Sequence, residues 1–235
     1  MINGIRVKVC GITSLVDAEA AAVCGADFLG FILYPQSPRH VSLEAFKAMQ
    51  TALPATVKKV GVVVEPTLAE LARARDAGFD YIQLHFPNST TFPDAVAWLD
   101  VVPPERLWLA PRIPPGGALD LMFVALADTM LFDTYHPVQI GGTGETGDWK
   151  TFAKLQSKNK DNTWVLAGGL SPTNIVAAVR EAKAHVVDVN SGVEASPGVK
   201  DHAKLRAFFA ALATLPSLPK RRTGAPATAT KAQLV

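Results

Sequence analysis

Residues 5–13 read IRVKVCGIT, a short β-branched run that ends in the turn Cys10-Gly11-Ile12-Thr13. The run has strand composition. The turn leads into a helix, because Ser14 stands at the N-cap position of an Ala-rich stretch reaching Cys24. A first β–α turn of this kind separates two architectures. An open doubly wound sheet normally carries G-x-G-x-x-G here, and CGIT does not. The turn therefore favours a (β/α)8 barrel, provided the alternation continues far enough along the chain.

It continues to the eighth unit. Strands are expected over 5–9, 28–33, 57–64, 81–84, 106–110, 130–133, 164–167 and 186–189, where β-branched and apolar residues cluster. Residues 57–64, VKKVGVVV, form a nearly continuous valine strand of the kind buried on both faces of a parallel sheet. Helices are expected over 14–24, 42–53, 68–77, 92–99, 149–156, 172–182 and 201–212, with Gly78 ending the third. The Pro/Gly-rich segment 111–118 carries no clear helical signal. Eight units in about 213 residues make an α/β fold: a single TIM barrel over 1–213 with short loops, followed by a tail over 214–235.

Composition narrows the function classes. The chain has 235 residues, 49% of them hydrophobic and 19% charged, enough for a large core and incompatible with a disordered chain. Its net charge of +2 is a property of the tail, which holds four bases and no acid. The first 213 residues carry 19 bases against 21 acids, so no nucleic-acid footprint is expected there. The tail, rich in Pro, Ala and Thr, reads as a disordered extension. Two cysteines exclude a disulfide scaffold. Neither a membrane span nor a signal peptide is legible, so a cytoplasmic protein with no membrane partner is expected.

In a barrel, the C-terminal ends of the strands carry the site. In order they hold Cys10, Arg39 in the second loop, His85, Asp133, Gly168-Gly169, and Asp188 with Asn190-Ser191-Gly192. Glycine clusters follow strands six, seven and eight: Gly141-Gly142-Thr143-Gly144, Gly168-Gly169 and Ser191-Gly192. One such cluster is explained by a tight turn. Three in successive loops favour a phosphorylated ligand held by backbone N–H groups. Cys10 precedes Gly11 at a strand end, so its sulfur can face the mouth; position alone leaves function and core filling equally open. Asp133 follows an apolar approach, where a carboxylate is costly unless the site uses it. A Cys base with an Asp acid suits proton transfer on a sugar carbon. His85 fits a pocket-lining role and a structural hydrogen-bonded role equally well. The five histidines have no metal-ligand spacing, so no metal is expected.

At these residues the sequence resembles the phosphoribosylanthranilate isomerases. The match runs through VKVCGIT, GADFLGFILYPQSPRHVS, VGVVVEP, YIQLH, LFDTYH, GGTGETGDW, LAGGLSPTN and DVNSGVEASPGVKD, covering nearly all of residues 5–209 in order. The resemblance implies a (β/α)8 enzyme without cofactor that performs an Amadori rearrangement of N-(5-phosphoribosyl)anthranilate in tryptophan biosynthesis. It implies Asp133 as general acid and Cys10 as general base. It also implies Arg39 as the partner of the anthranilate carboxylate, Asp188 as a carboxylate beside the anthranilate, and His85 among the substrate contacts. Phosphate contacts fall to Gly168, Gly169, Ser191 and Gly192, with Gly142 closing over the ligand. Monomer and homodimer both fit.

Three departures from the family pattern stand out. Phe86 follows QLH where glycine is usual, Val-Glu-Pro at 64–66 replaces the commoner Val-Asn, and PRIPPGG follows strand five. All three are expected on the rim, where they would alter affinity or loop motion. Two rivals remain. A ribulose-phosphate epimerase would want metal-binding histidines at the strand ends, and a silent phosphate-binding barrel would not need both Cys10 and Asp133.

Overall fold

The computed structural model describes residues 1–114, 117–133 and 148–218. Eight parallel strands, β1 (Arg6–Val9), β2 (Phe28–Ile32), β3 (Lys58–Val64), β4 (Tyr81–Pro87), β5 (Leu107–Arg112), β6 (Thr129–Phe132), β7 (Thr163–Leu166) and β8 (Val186–Val189), pair in chain order. β1 also pairs with β8, Lys8 opposite Asp188, which closes the barrel. Helices α1 (Leu15–Cys24), α2 (Leu43–Gln50), α3 (Leu68–Asp76), α4 (Phe92–Ala97), α5 (Trp149–Lys158), α6 (Ile175–Ala182) and α7 (His202–Ala213) follow every strand except β5. Their starts follow from local chemistry. Ser14 accepts from the Asp17 N–H, Ser42 from the Ala45 N–H, and Thr67 forms a reciprocal box with Glu70.

The two-residue period of the strands separates two cores. Outward residues such as Val7, Val9, Leu84 and Leu109 pack under the helices in one large cluster. Inward residues Phe28, Val60, Trp108, Leu131, Val165 and Val186 fill the lumen. Phe28, Tyr81 and Trp108 close its floor, with ring centroids 5.1–6.0 Å apart. The lumen is thus a packed plug, and the cleft above it rests on a rigid floor.

Several elements differ from the sequence reading. β4 runs on to Pro87 because it pairs along its length with β5, up to Pro87 opposite Arg112. A 3-10 turn at Leu121–Ala125 stands where an α-helix would follow β5. α6 starts at Ile175, not at Pro172, because the Asn174 side chain holds the preceding turn: it accepts from the Ser171 N–H and donates to the Gly169 carbonyl. A short antiparallel hairpin, β9 (Glu194–Ser196) and β10 (Val199–Lys200), was not anticipated. The packed chain also passes residue 213. Leu215 is buried, and the Leu218 N–H donates to the Asn3 carbonyl at 2.8 Å.

Candidate active site

At the C-terminal ends of the strands, one cleft gathers Cys10 from β1, Arg39 from the loop after β2, His85 from β4, Asp133 just beyond β6, Gly168 and Gly169 after β7, Asp188 from β8 and Ser191 beyond it. Its empty space, open mouth included, is about 690 Å³. Cys10 and Asp133 lie three strand positions apart around the closed barrel, so they can face two sides of one ligand. Gly142 lies outside the described residues. Gly192 does not line the cleft. A Cβ on it would overlap the Leu170 carbonyl oxygen, so its glycine lets the loops after β7 and β8 pack backbone to backbone.

Those two loops are built to bring N–H groups close. Gly168 and Gly169 both have positive φ, 86° and 60°, and the Asn174 side chain ties the turn from below. Ser191 opens a 3-10 turn at Ser191–Val193, presenting the start of a short helical segment to the cleft. Such a frame suits an oxyanion.

Beneath the mouth lies a polar layer fixed by inward-facing residues. Lys8 is wholly buried and its Nζ donates to Asp188 Oδ2 at 2.8 Å. Asp188 Oδ1 has no hydrogen-bond partner among the described residues and belongs to the cleft wall, an acceptor ready for a ligand donor. Burial pushes the Asp188 carboxyl up, and the Lys8 ammonium pulls against it. Burial likewise pushes the Cys10 thiol up, and again Lys8 is the largest opposing influence. His85 Nε2 is 2.7 Å from Gln83 Nε2, which donates to it. Burial, then the Lys8 and Arg112 cations, bring the imidazole down to about 3. His85 is therefore a neutral wall of the cleft, both hydrogen-bonded and pocket-lining.

Arg39 is not an open guanidinium. It is buried, and it grips Glu194 in a fork: Nε donates to Oε1 at 2.9 Å and to Oε2 at 3.1 Å, and Nη2 to Oε2 at 2.7 Å. Lys200 Nζ reaches the same carboxylate at 2.9 Å and Asn190 Oδ1 at 3.0 Å. Burial alone would raise the Glu194 carboxyl; its two basic partners reverse this and hold it below its ordinary value. Two basic side chains thus share one carboxylate beside the cleft, which Arg39 also lines.

Lys8, Gln83, Glu194 and Lys200 escaped the sequence reading. For Lys8 a signal existed: in IRVKVC the basic residues alternate with outward valines, which places Arg6, Lys8 and Cys10 on the inner face. Phe86 was misplaced. It lies inside β4 with alternation opposite to His85, and it packs edge-on against Trp98 and Phe123 at 5.0 Å, in the layer beneath the helices. It is a core residue, and it does not line the cleft. The other two departures meet each other, because Glu65 pairs with Arg112 across the ends of β3 and β5. Among the described residues no cluster of His, Cys, Asp and Glu could hold a metal, and no helix is long and apolar enough to cross a membrane.

The family model for N-(5'phosphoribosyl)anthranilate (PRA) isomerase matches residues 7–211. A Synechococcus N-(5'-phosphoribosyl)anthranilate isomerase is 41% identical over 216 residues, covering 89% of this chain and 97% of that one. The crystal structure of the Thermus thermophilus phosphoribosyl anthranilate isomerase superposes with a TM-score of 0.75 at 34% identity, over 89% of this chain and 99% of that one. A solved phosphoribosyl anthranilate isomerase in complex with reduced 1-(O-carboxyphenylamino)-1-deoxyribulose 5-phosphate superposes with a TM-score of 0.69 at 28% identity, covering 90% and 100%. The model match spans β1 through most of α7, the same stretch that builds the closed barrel and its cleft, and this chain belongs to the N-(5'-phosphoribosyl)anthranilate isomerase family.

Proposed function

We propose that the chain converts N-(5-phospho-β-D-ribosyl)anthranilate to 1-(2-carboxyphenylamino)-1-deoxy-D-ribulose 5-phosphate, an aminoaldose-to-aminoketose isomerisation in tryptophan biosynthesis. One observation carries the residue roles: Cys10 and Asp133 share a cleft whose other wall is the glycine-framed loop pair after β7 and β8. The ligand of the related complex joins a carboxyphenyl amine to a phosphorylated sugar. The same two ends find matching chemistry here. Phosphate goes to the N–H groups around Gly168, Gly169 and Ser191, while Gly192 lets the two loops meet. The anthranilate carboxylate goes to Arg39, held in place by Glu194, and the anilinic N–H to Asp188 Oδ1.

Between these anchors Asp133 protonates the furanose ring oxygen. The bond from that oxygen to C1′ breaks, and the nitrogen lone pair forms the Schiff base. Cys10, as thiolate, takes the proton from C2′, and the electron pair of that C–H bond moves toward the iminium to give the enolamine. Tautomerisation to the ketone completes the reaction. His85 is given no acid role, since burial keeps its imidazole unprotonated.

The test follows loss of substrate fluorescence with purified wild type, Cys10→Ala and Asp133→Ala. Each substitution is expected to leave the fold intact and to lower turnover by about 10²–10⁴-fold. Wild-type-like turnover in either variant would remove that residue from its role. A folded wild type that binds phosphate without turnover would instead mark a silent barrel.

A further inference from the structure

We infer that Lys8 is a positioning residue for the isomerisation: its buried ammonium, anchored on Asp188, shares with the Cys10 sulfur the gap over Gly30 and stabilises the thiolate that accepts the C2′ proton. The inference rests on the reading of Cys10 as the base.

Lys8 has no exposure and does not line the cleft, so it cannot touch substrate. Whatever it does, it does through its neighbours. Strand pairing sets it opposite Asp188, and the 2.8 Å hydrogen bond to Oδ2 uses one of three ammonium protons. Gly30, across from β1 on β2, marks the space that borders both groups. A Cβ at Gly30 would lie 2.8 Å from Cys10 Sγ and 3.0 Å from both Lys8 Cε and Nζ. The sulfur and the ammonium therefore converge on one spot that only glycine leaves open.

A buried ion pair is a poor device for stability, since well-packed apolar residues of like volume often serve as well or better. Its placement directly under a nucleophilic sulfur gives it another use. Among the described residues the charged groups facing Cys10 are few. Lys8 comes from its own strand, Asp188 from β8 and Lys200 from β10, the last already shared with Glu194 beside Arg39. His85 from β4 is neutral, and Asp133 stands beyond β6 on the same cleft. Of the two cations acting on the thiol, Lys8 has the larger influence, and it also outweighs the opposing Asp188. Lys8 itself stays charged. Burial pulls its ammonium down, and Asp188 and Cys10 together lift it above its ordinary value. In the chemical step the sulfur gains a proton and its negative charge passes to the substrate, while Lys8 keeps its three protons throughout.

The experiment titrates the Cys10 thiol by thiolate ultraviolet absorbance in the full chain, with Cys24→Ser as background to remove the second thiol. Lys8→Met is expected to raise the thiol midpoint by about one pH unit or more. The acid limb of kcat/KM should move by the same amount, and Lys8→Arg should stay near wild type. A folded Lys8→Met with unmoved midpoint and unmoved acid limb overturns the inference and leaves Lys8 structural. If Lys8→Met does not fold, Lys8→Met/Asp188→Asn removes both buried charges and is read by thiol titration alone. Its midpoint should lie above that of Asp188→Asn alone, which keeps Lys8, and an equal or lower midpoint overturns the inference equally. Cys10→Ala, assayed in parallel, separates the two readings. Retained turnover there fails the base assignment; lost turnover with an unmoved Lys8→Met titration fails only the role of Lys8.

Discussion

His85 occupies the cleft as an imidazole that burial keeps from charging. Its folded value of about 3 lies well below the ordinary 6.5, so the unfolded chain takes up a proton that the folded chain refuses. The stability this represents is present above the unfolded value and is lost as pH falls toward the folded one. Between pH ~6.5 and ~3 the loss is about 1.4 kcal/mol per pH unit. His85→Asn, which cannot take up that proton, should lose less stability on acidification. The wild-type-minus-variant difference in unfolding free energy, measured by urea at pH ~7 and at ~4.5, should therefore shift by roughly 2–3 kcal/mol against the wild type. A difference independent of pH would show that His85 charges freely in the fold. The same residue shows where sequence reading stops. Cys10 and Asp133 were legible because each ends or follows an apolar run, a local signal. The neutrality of His85 depends on its burial and on the Lys8 and Arg112 cations, and the Lys8–Asp188 pair joins residues 180 positions apart, which no local pattern reports.

At the scale of elements, the β9–β10 hairpin was invisible in SGVEASPGVKD because two very short strands around Pro197 and Gly198 read as loop. It nonetheless sets the electrostatics of the mouth. Glu194 opens β9 and accepts from Arg39, 155 residues earlier in the chain, and Lys200, which ends β10, donates to the same carboxylate. The eight strands and most helices were legible because their apolar periodicity is written along each segment; the hairpin is held by charges from elsewhere. A second ion pair, Glu65–Arg112, offers a contrast, since it links the residue after β3 to the last residue of β5 with Glu65 about half exposed. Removing one partner of a buried pair strands a charge and costs about 3–5 kcal/mol, while an exposed pair is worth about 1 kcal/mol or less. Glu194→Ala should therefore lower the urea midpoint far more than Glu65→Ala, and it should also raise KM because Arg39 loses its fork. Equal losses in the two variants would mean that the Arg39–Glu194–Lys200 cluster is solvated.

For the whole molecule, closure depends on both ends of the chain. β1 must pair β8, and the residues just before β1 grip the end of α7: Asn3 Nδ2 donates to the Ala213 carbonyl at 3.1 Å and to that of Leu215 at 2.7 Å, and the Leu218 N–H returns a bond to the Asn3 carbonyl. Asn3 adopts φ 49°, a left-handed conformation that asparagine tolerates better than most residues. The family match ends at residue 211, before this clasp. Residues 219–235 add basic and Pro/Ala/Thr-rich sequence. Two truncations divide the clasp from the tail. A chain ending at Leu218 keeps Leu215 in the core and both ends of the clasp, so its turnover should equal that of the full chain. A chain ending at Ala213 loses a buried leucine and the hydrogen bonds at Leu215 and Leu218, a cost on the order of 3 kcal/mol relative to the longer truncation. Its thermal midpoint should fall by several degrees, while turnover at low temperature persists because every cleft residue is still present. Loss of turnover on ending at Leu218 would give residues 219–235 a part in the reaction, and equal midpoints for the two truncations would show that the barrel closes without the clasp.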